Sequence, residues 1–247
     1  MDWILGIALV IILLMLIDLR LLRKAQKGLA VLSYDDIDAK ILRKQLSLLK
    51  KRGWHFITAA DLAAGKKVSA KSVLITFAGG YENFYTDAFP VLKEMDIPCL
   101  VFLPAAGIGG YNFWHDTKKG PWRNMLTAAQ IKELQKSGLA GFGSCGLTGA
   151  GLNAADEDIA ENEVIESAAR LNNIYGVKPD FFYFPRATRR KAQKRLINTA
   201  EKTYKFVFTD GNRVNTLPLG NILSYIPVGK QDNFIRFLLK LTGRFAR

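Results

Sequence analysis

A chain of 247 residues, 49% apolar and 23% charged, has the material for a sizeable buried core, in one large domain or two small ones. Its 35 Lys and Arg outnumber 22 Asp and Glu, and the net charge of +13 asks for an anionic neighbour such as lipid head groups, an acidic glycan or nucleic acid. No RRM-like signature or basic tail is present, which sets nucleic acid aside; Cys99 and Cys145 are too few for a disulfide framework, and neither has a CxxC partner.

The run from Trp3 to Ile17 is uncharged and almost wholly apolar, and Leu19, Leu21 and Leu22 continue it past Asp18 and Arg20. At ~1.5 Å rise per residue, a helix over 3–22 would span the ~30 Å hydrocarbon core. A cleaved signal peptide would need a basic segment before the run and a small-residue cleavage site after it. Only Asp2 precedes, so residues 1–27 are read as an uncleaved transmembrane anchor and membrane lipid as a partner. Arg20, Arg23, Lys24 and Lys27 all follow the apolar run, and the positive-inside rule then places residues 28–247 in the cytoplasm.

From Gly28 onward, short apolar strands alternate with helical periods. Strands are predicted over Gly28–Tyr34, Trp54–Thr58, Val73–Phe77 and Cys99–Leu103, then into Ser144, and over Phe181–Phe184, Phe206–Thr209 and Ile222–Val228. Leu42, Leu46 and Leu49 mark a helix that Gly53 stops, and Thr86–Met95 reads as another. Thr127 and Gln130 form a capping-box pattern before a helix ending at Gly138. A long helix follows over about 157–174, then a basic helix, and an amphipathic one closes the chain. Six or more such units without a linker predict a single parallel barrel, with its chemistry at the turns after the strands.

Three of those turns read Thr76-Phe77-Ala78-Gly79-Gly80-Tyr81, Ser144-Cys145-Gly146-Leu147-Thr148-Gly149 and Phe182-Tyr183-Phe184-Pro185-Arg186-Ala187. Their order and spacing resemble the polysaccharide deacetylase family (NodB-homology, carbohydrate esterase family 4), as do Phe89-Pro90-Val91-Leu92-Lys93, Ile97-Pro98 and Leu126-Thr127. The resemblance runs from about Val31 to the C-terminus. It implies an α/β fold, an irregular (β/α) barrel of the NodB-homology type over 28–247, preceded by the transmembrane helix. It also implies a domain outside the cytoplasm, against the charge rule.

The family's first motif is TFDDGY, in which the first Asp acts as base and the second binds a divalent metal, commonly zinc. Those positions are Ala78 and Gly79 here. The H-x-x-x-H motif supplies two more ligands; its positions are Cys145 and Gly149. Arg186 stands where a Tyr commonly follows the Pro, and neither His55 nor His115 can supply the family's late His. Deacetylation needs a metal to polarise the carbonyl and acidify water, and a base to take the proton; alanine and glycine do neither. The resemblance therefore implies a catalytically inactive pseudoenzyme that expects no cofactor. Its ligand would be a glycan, a lipid-linked saccharide or a protein partner of a polysaccharide system. Restoring the four side chains is expected to rebuild the zinc ligands.

Two alternatives stay open: an active carbohydrate N-deacetylase or other hydrolase of non-peptide carbon–nitrogen bonds with a rearranged metal site, drawing on Cys145, His115 and Asp116, and a structural membrane protein without a ligand. Tyr81 and Trp114 are candidates for sugar stacking, or else core aromatics. Arg186 and Arg190, in a basic run from 186 to 205, are candidates for anion binding, or else a solvated face. His115 and Asp116 read first as a surface loop, with a remnant polar cluster at the cleft rim as the alternative. Gly141–Gly146 matches G-x-G-x-x-G, but a dinucleotide site would need a helix at that turn, and Gly149 and Gly151 break the chain instead. The apolar and basic positions of the final helix also suit a membrane surface.

Overall fold

Strands with no polar face must be covered on both sides, and a closed ring of parallel strands inside a shell of helices does this. The structure is a computed structural model that describes residues 28–242 other than 155 and 187, together with residues 3, 6, 7, 9, 10 and 12. Its strands are β1 (Leu29–Tyr34), β2 (His55–Phe56), β3 (Ser72–Ala78), β4 (Cys99–Leu103), β5 (Ala140–Ser144), β6 (Phe181–Tyr183), β7 (Phe206–Asp210) and β8 (Ile222–Val228). The ring runs β1-β3-β4-β5-β6-β7-β8 and closes from β8 onto β1, every pairing parallel, while β2 extends the sheet beside the start of β3.

Side-chain alternation sorts the core into an interior and a shell. Leu29 and Val31, Leu74, Leu100 and Phe102, Phe181 and Tyr183, Phe208, and Leu223 and Tyr225 form one buried cluster inside the ring. The opposite faces, with Leu32, Ile75 and Val101 among them, pack on α1 (Ala39–Lys51), α3 (Phe89–Glu94) and α4 (Ala128–Lys136) through Leu46, Leu92 and Ile131. Phe182, Phe184 and Val207 pack on α5 (Glu157–Tyr175) and α6 (Arg190–Thr203) through Val164 and Leu196. Each such side chain contributes about 1.5–3 kcal/mol through burial. Two further α-helices of the barrel domain are α2 (Ala59–Ala63) and α7 (Phe234–Leu241).

Local signals set the boundaries. Asp38 caps α1 by accepting from the N–H groups of Lys40 and Ile41, and the capping box of Thr127 and Gln130 opens α4. The helix expected over Thr86–Met95 is divided. Pro90 has no N–H to continue an α-helical ladder, and the preceding turn, Phe84–Ala88, is wider, with Phe89 N–H donating to Phe84 O. The barrel is thinnest between β5 and β6, joined by the single register pair Ser144 and Phe182. No helix starts at Gly141–Gly146, so that run is not a dinucleotide turn. Gly143 is there for close packing, since a Cβ on it would lie 2.8 Å from the Phe102 ring and from Phe181 O.

The anchor predicted over 1–27 lies almost wholly outside the described residues. Trp3, Gly6, Ile7, Leu9, Val10 and Ile12 are helical and exposed. Among the described residues no helix is long and apolar enough to cross a membrane.

Candidate functional site

The C-terminal ends of the strands open into a cleft of about 550 Å³. β3 brings Ala78 and Gly79 to it, and the turn after β5 brings Cys145 and Gly149. The four positions singled out in the sequence therefore share one cavity. Cys145 faces inward like Ala78 and belongs to the same interior cluster. Burial pushes its thiol up to about 12, against a partial offset from the Gly79 N–H. A thiol held in that state is a poor nucleophile at neutral pH.

The backbone at two of these positions has a conformation that side chains rarely adopt. Gly79 has φ +95°, and a Cβ on it would lie 2.5 Å from Cε2 of Tyr81; Gly149 has φ +76°, with Cys145 O and Pro185 Cγ at 3.2 Å. The expectation that only side chains separate this site from a metal centre is corrected here, because the turns themselves are built around glycine.

Trp114, His115, Asp116 and Arg186 also line the cleft, while Arg190, which opens α6, does not. Asp116 Oδ1 accepts from Lys118 N–H at 3.0 Å and so holds its own turn. The His115 carbonyl accepts from Trp122 Nε1 at 3.1 Å, tying the two ends of that loop together. Arg186 lies 3.7 Å from Asp210 and is largely exposed. Tyr81 lies beneath the Arg123 guanidinium, 3.7 Å from ring centroid to Cζ, and Arg123 also donates to Asn83 Oδ1 at 2.8 Å. Arg123 thus covers one face of Tyr81, while the half-buried Trp114 packs against Gly107 and edge-on to Phe113.

Sequence reasoning missed three residues that shape the cleft. Asp35 follows β1 and continues its inward face, Leu29, Val31, Ser33, so its place was legible from the strand's period of two. Protein surrounds it on most sides, yet its carboxylate meets the solvent of the cleft. That partial desolvation raises its pKa, opposed by Arg123 and Arg186 and helped by Asp36. Tyr183 closes the floor, its hydroxyl 3.0 Å from Ser33 Oγ and its ring stacked on Tyr225. Glu163, buried on α5, accepts from Thr148 N–H at 2.9 Å, Thr148 Oγ1 at 2.7 Å and Gly149 N–H at 2.9 Å, and so fixes the turn that carries Cys145 and Gly149. In the sequence it was one acid among several in an acidic stretch.

The polysaccharide deacetylase family matches residues 65–205, more than half of the chain. The chain belongs to this family. It is 25% identical over 171 residues, 68% of its length and 56% of the relative's, to YxkH of Bacillus subtilis, whose name places it among polysaccharide deacetylases. It is 33% identical over 105 residues, 41% of its length and 34% of the relative's, to the poly-β-1,6-N-acetyl-D-glucosamine N-deacetylase of Staphylococcus epidermidis. The polysaccharide deacetylase-like chain thus spans a third to just over half of these curated relatives. Its fold is similar to that of IcaB from Ammonifex degensii, with a TM-score of 0.72, 24% identity and coverage of 87% of this chain and 97% of that one.

A divalent metal, which the family resemblance implies, does not fit the residues present. Where a base and three ligands are expected stand a methyl group, two glycine hydrogens and one thiol whose proton is held tightly. Among the described residues, no three His, Cys, Asp or Glu side chains are grouped so as to hold a metal ion.

Proposed function

We propose that this polysaccharide deacetylase-like protein is a membrane-anchored pseudoenzyme that binds a glycan or lipid-linked sugar in the barrel cleft without metal-dependent hydrolysis. The observation that carries the reading is that Ala78, Gly79, Cys145 and Gly149 line one cleft, the two glycines with φ values that side chains rarely adopt. The cleft keeps the groups that recognise a sugar: the Trp114 ring, the Asp35 and Asp116 carboxylates, and the Arg186 guanidinium. The apolar run Trp3–Ile17 supplies the anchor, and the basic cluster Arg20–Lys27 favours a domain in the cytoplasm. An alkaline phosphatase fused after Arg247 should then be inactive; an active fusion places the domain outside.

Poly-β-1,6-N-acetylglucosamine, named in the Staphylococcus epidermidis relative, is the first ligand to test. The purified protein should bind its oligomers in calorimetry, contain no stoichiometric zinc by elemental analysis, and release no acetate. Acetate release that a chelator abolishes would overturn the pseudoenzyme.

A second reading, a hydrolase with a rearranged site, is favoured by the presence of His115, Asp116, Asp35 and Cys145 in the same cleft. It predicts acetate release that survives chelator and falls in His115→Ala.

A further inference from the structure

A parallel (β/α) barrel gathers all strand starts and all helix ends at one pole, opposite the cleft. Here that pole is rich in cations that have no partner among the described residues. Lys51, Lys136 and Lys202 end α1, α4 and α6, and Lys67, Lys71 and Lys178 stand in the connections leading into β3 and β6. Among the described residues none of the six has an ion-pair or side-chain hydrogen-bond partner, and all but the half-buried Lys71 are exposed. Three acids of the pole, Asp61, Glu94 and Asp180, already face Lys66, Arg43 and Lys205. Asp96 and Glu201 remain against the six lysines.

Complementing helix dipoles accounts for the three lysines at helix ends, but not for Lys67, Lys71 and Lys178. Between the lysines lies apolar surface: Val68, Leu217, Pro218 and Leu219 line a groove of about 520 Å³ with Lys66 and Lys67, and Leu217 is 40% exposed. The cleft pole is mixed by comparison, with Asp36 facing Lys230 and Asp210 facing Arg186. Lysines interleaved with exposed apolar side chains are the composition of a surface that rests on anionic lipid.

The chain's entry lies at the same pole. Ser72 N–H, at the start of β3, donates to Gly28 O at 3.1 Å, so the apolar run and the cluster Arg20–Lys27 lead into the domain on this side. We propose that the N-terminal pole of the barrel rests on an anionic bilayer and that the cleft opens away from it. The orientation builds on the anchoring reading above, and it gives the cleft an extended glycan reaching in from the aqueous side.

Amine-reactive footprinting of the full chain, reconstituted in neutral vesicles or in vesicles with about one third anionic lipid, tests the orientation. On anionic vesicles, labelling of Lys67, Lys71, Lys136, Lys178 and Lys202 should fall at least threefold relative to Lys118 and Lys191 near the cleft. The protection should fade at about 0.5 M salt, where screening shortens to a few ångströms. Equal labelling on both vesicles, or protection of Lys118 and Lys191 instead, overturns the proposal. A chain that fails to float with neutral vesicles overturns the anchor alone, because the labelling pattern on anionic vesicles still decides which pole faces lipid.

Discussion

The Tyr81 ring fills the space that a side chain at Gly79 would need, since a Cβ there would lie 2.5 Å from Tyr81 Cε2. Tyr81 is in turn held under the Arg123 guanidinium, so it does not swing away freely. Putting Asp at 79 must therefore displace the ring and also bear a φ of +95°. The fourfold variant A78D/G79D/C145H/G149H is expected not to take up one zinc per chain. Two side chains at left-handed positions cost about 1–2 kcal/mol each, and melting should fall by roughly 5–10 °C. The double variant A78D/C145H lacks that strain and should melt higher than the fourfold one. Stoichiometric zinc with unchanged melting in the fourfold variant would show that the glycine backbone is no obstacle.

Cys145 separates the pseudoenzyme from a thiol hydrolase. With the thiol pushed up to about 12 from an ordinary 9.0, the thiolate fraction at pH 8 falls roughly a thousandfold. Iodoacetamide should modify Cys145 in the native protein slower than in the urea-unfolded chain by a factor of that order, with mass spectrometry as the readout. The native rate should climb steadily with pH through pH 10 instead of levelling off near 9. Fast native labelling that levels off below pH 8 would restore Cys145 as a nucleophile.

Element types and the barrel were legible because fully apolar strands at regular spacing leave a parallel closed sheet as the simplest way to cover both faces. The positions of Ala78, Gly79, Cys145 and Gly149 were legible because turns after parallel strands meet at one pole. The conformation of those turns was not. A glycine in a sequence states only that a side chain is missing, and φ at 79 and 149 depends on Tyr81, Pro185 and Glu163 packed against them. Arg190 was placed near the cleft by adjacency to Arg186, but it opens α6 and does not line the cavity. Asp35 could have been found by extending the inward face of β1 one step beyond Ser33.

Glu163 is the fastening of the second turn. Its carboxylate receives three hydrogen bonds from Thr148 and Gly149, and removing it leaves those donors without a partner in a partly buried loop. Glu163→Ala is expected to cost about 2–4 kcal/mol in urea unfolding. The amides of Thr148 and Gly149 should exchange faster than those of β4, which keep their strand partners. A loss below about 0.5 kcal/mol would mean that the turn holds itself.

Asp35 tests whether the cleft has kept a strained carboxylate for ligand contact. Its pKa is raised by partial desolvation, and Arg123 and Arg186 do not fully compensate. A raised folded-state pKa means that the folded protein binds the proton more tightly than the unfolded chain. Stability therefore declines as pH rises from the ordinary value of 3.8 through the folded-state pKa, and the penalty is fully present above it. Asp35→Asn removes the charge and should raise melting by roughly 2 °C at pH 7, a modest figure because the group reaches solvent and is screened. The gain should shrink as pH is lowered toward 3.8. If the cleft binds sugar through this group, the same variant should weaken glycan binding while it stabilises the fold, since a charged acceptor is exchanged for a neutral amide. A variant that melts lower at pH 7 would instead make Asp35 a structural partner of the two arginines. One that melts higher and binds unchanged would remove it from the ligand's contacts.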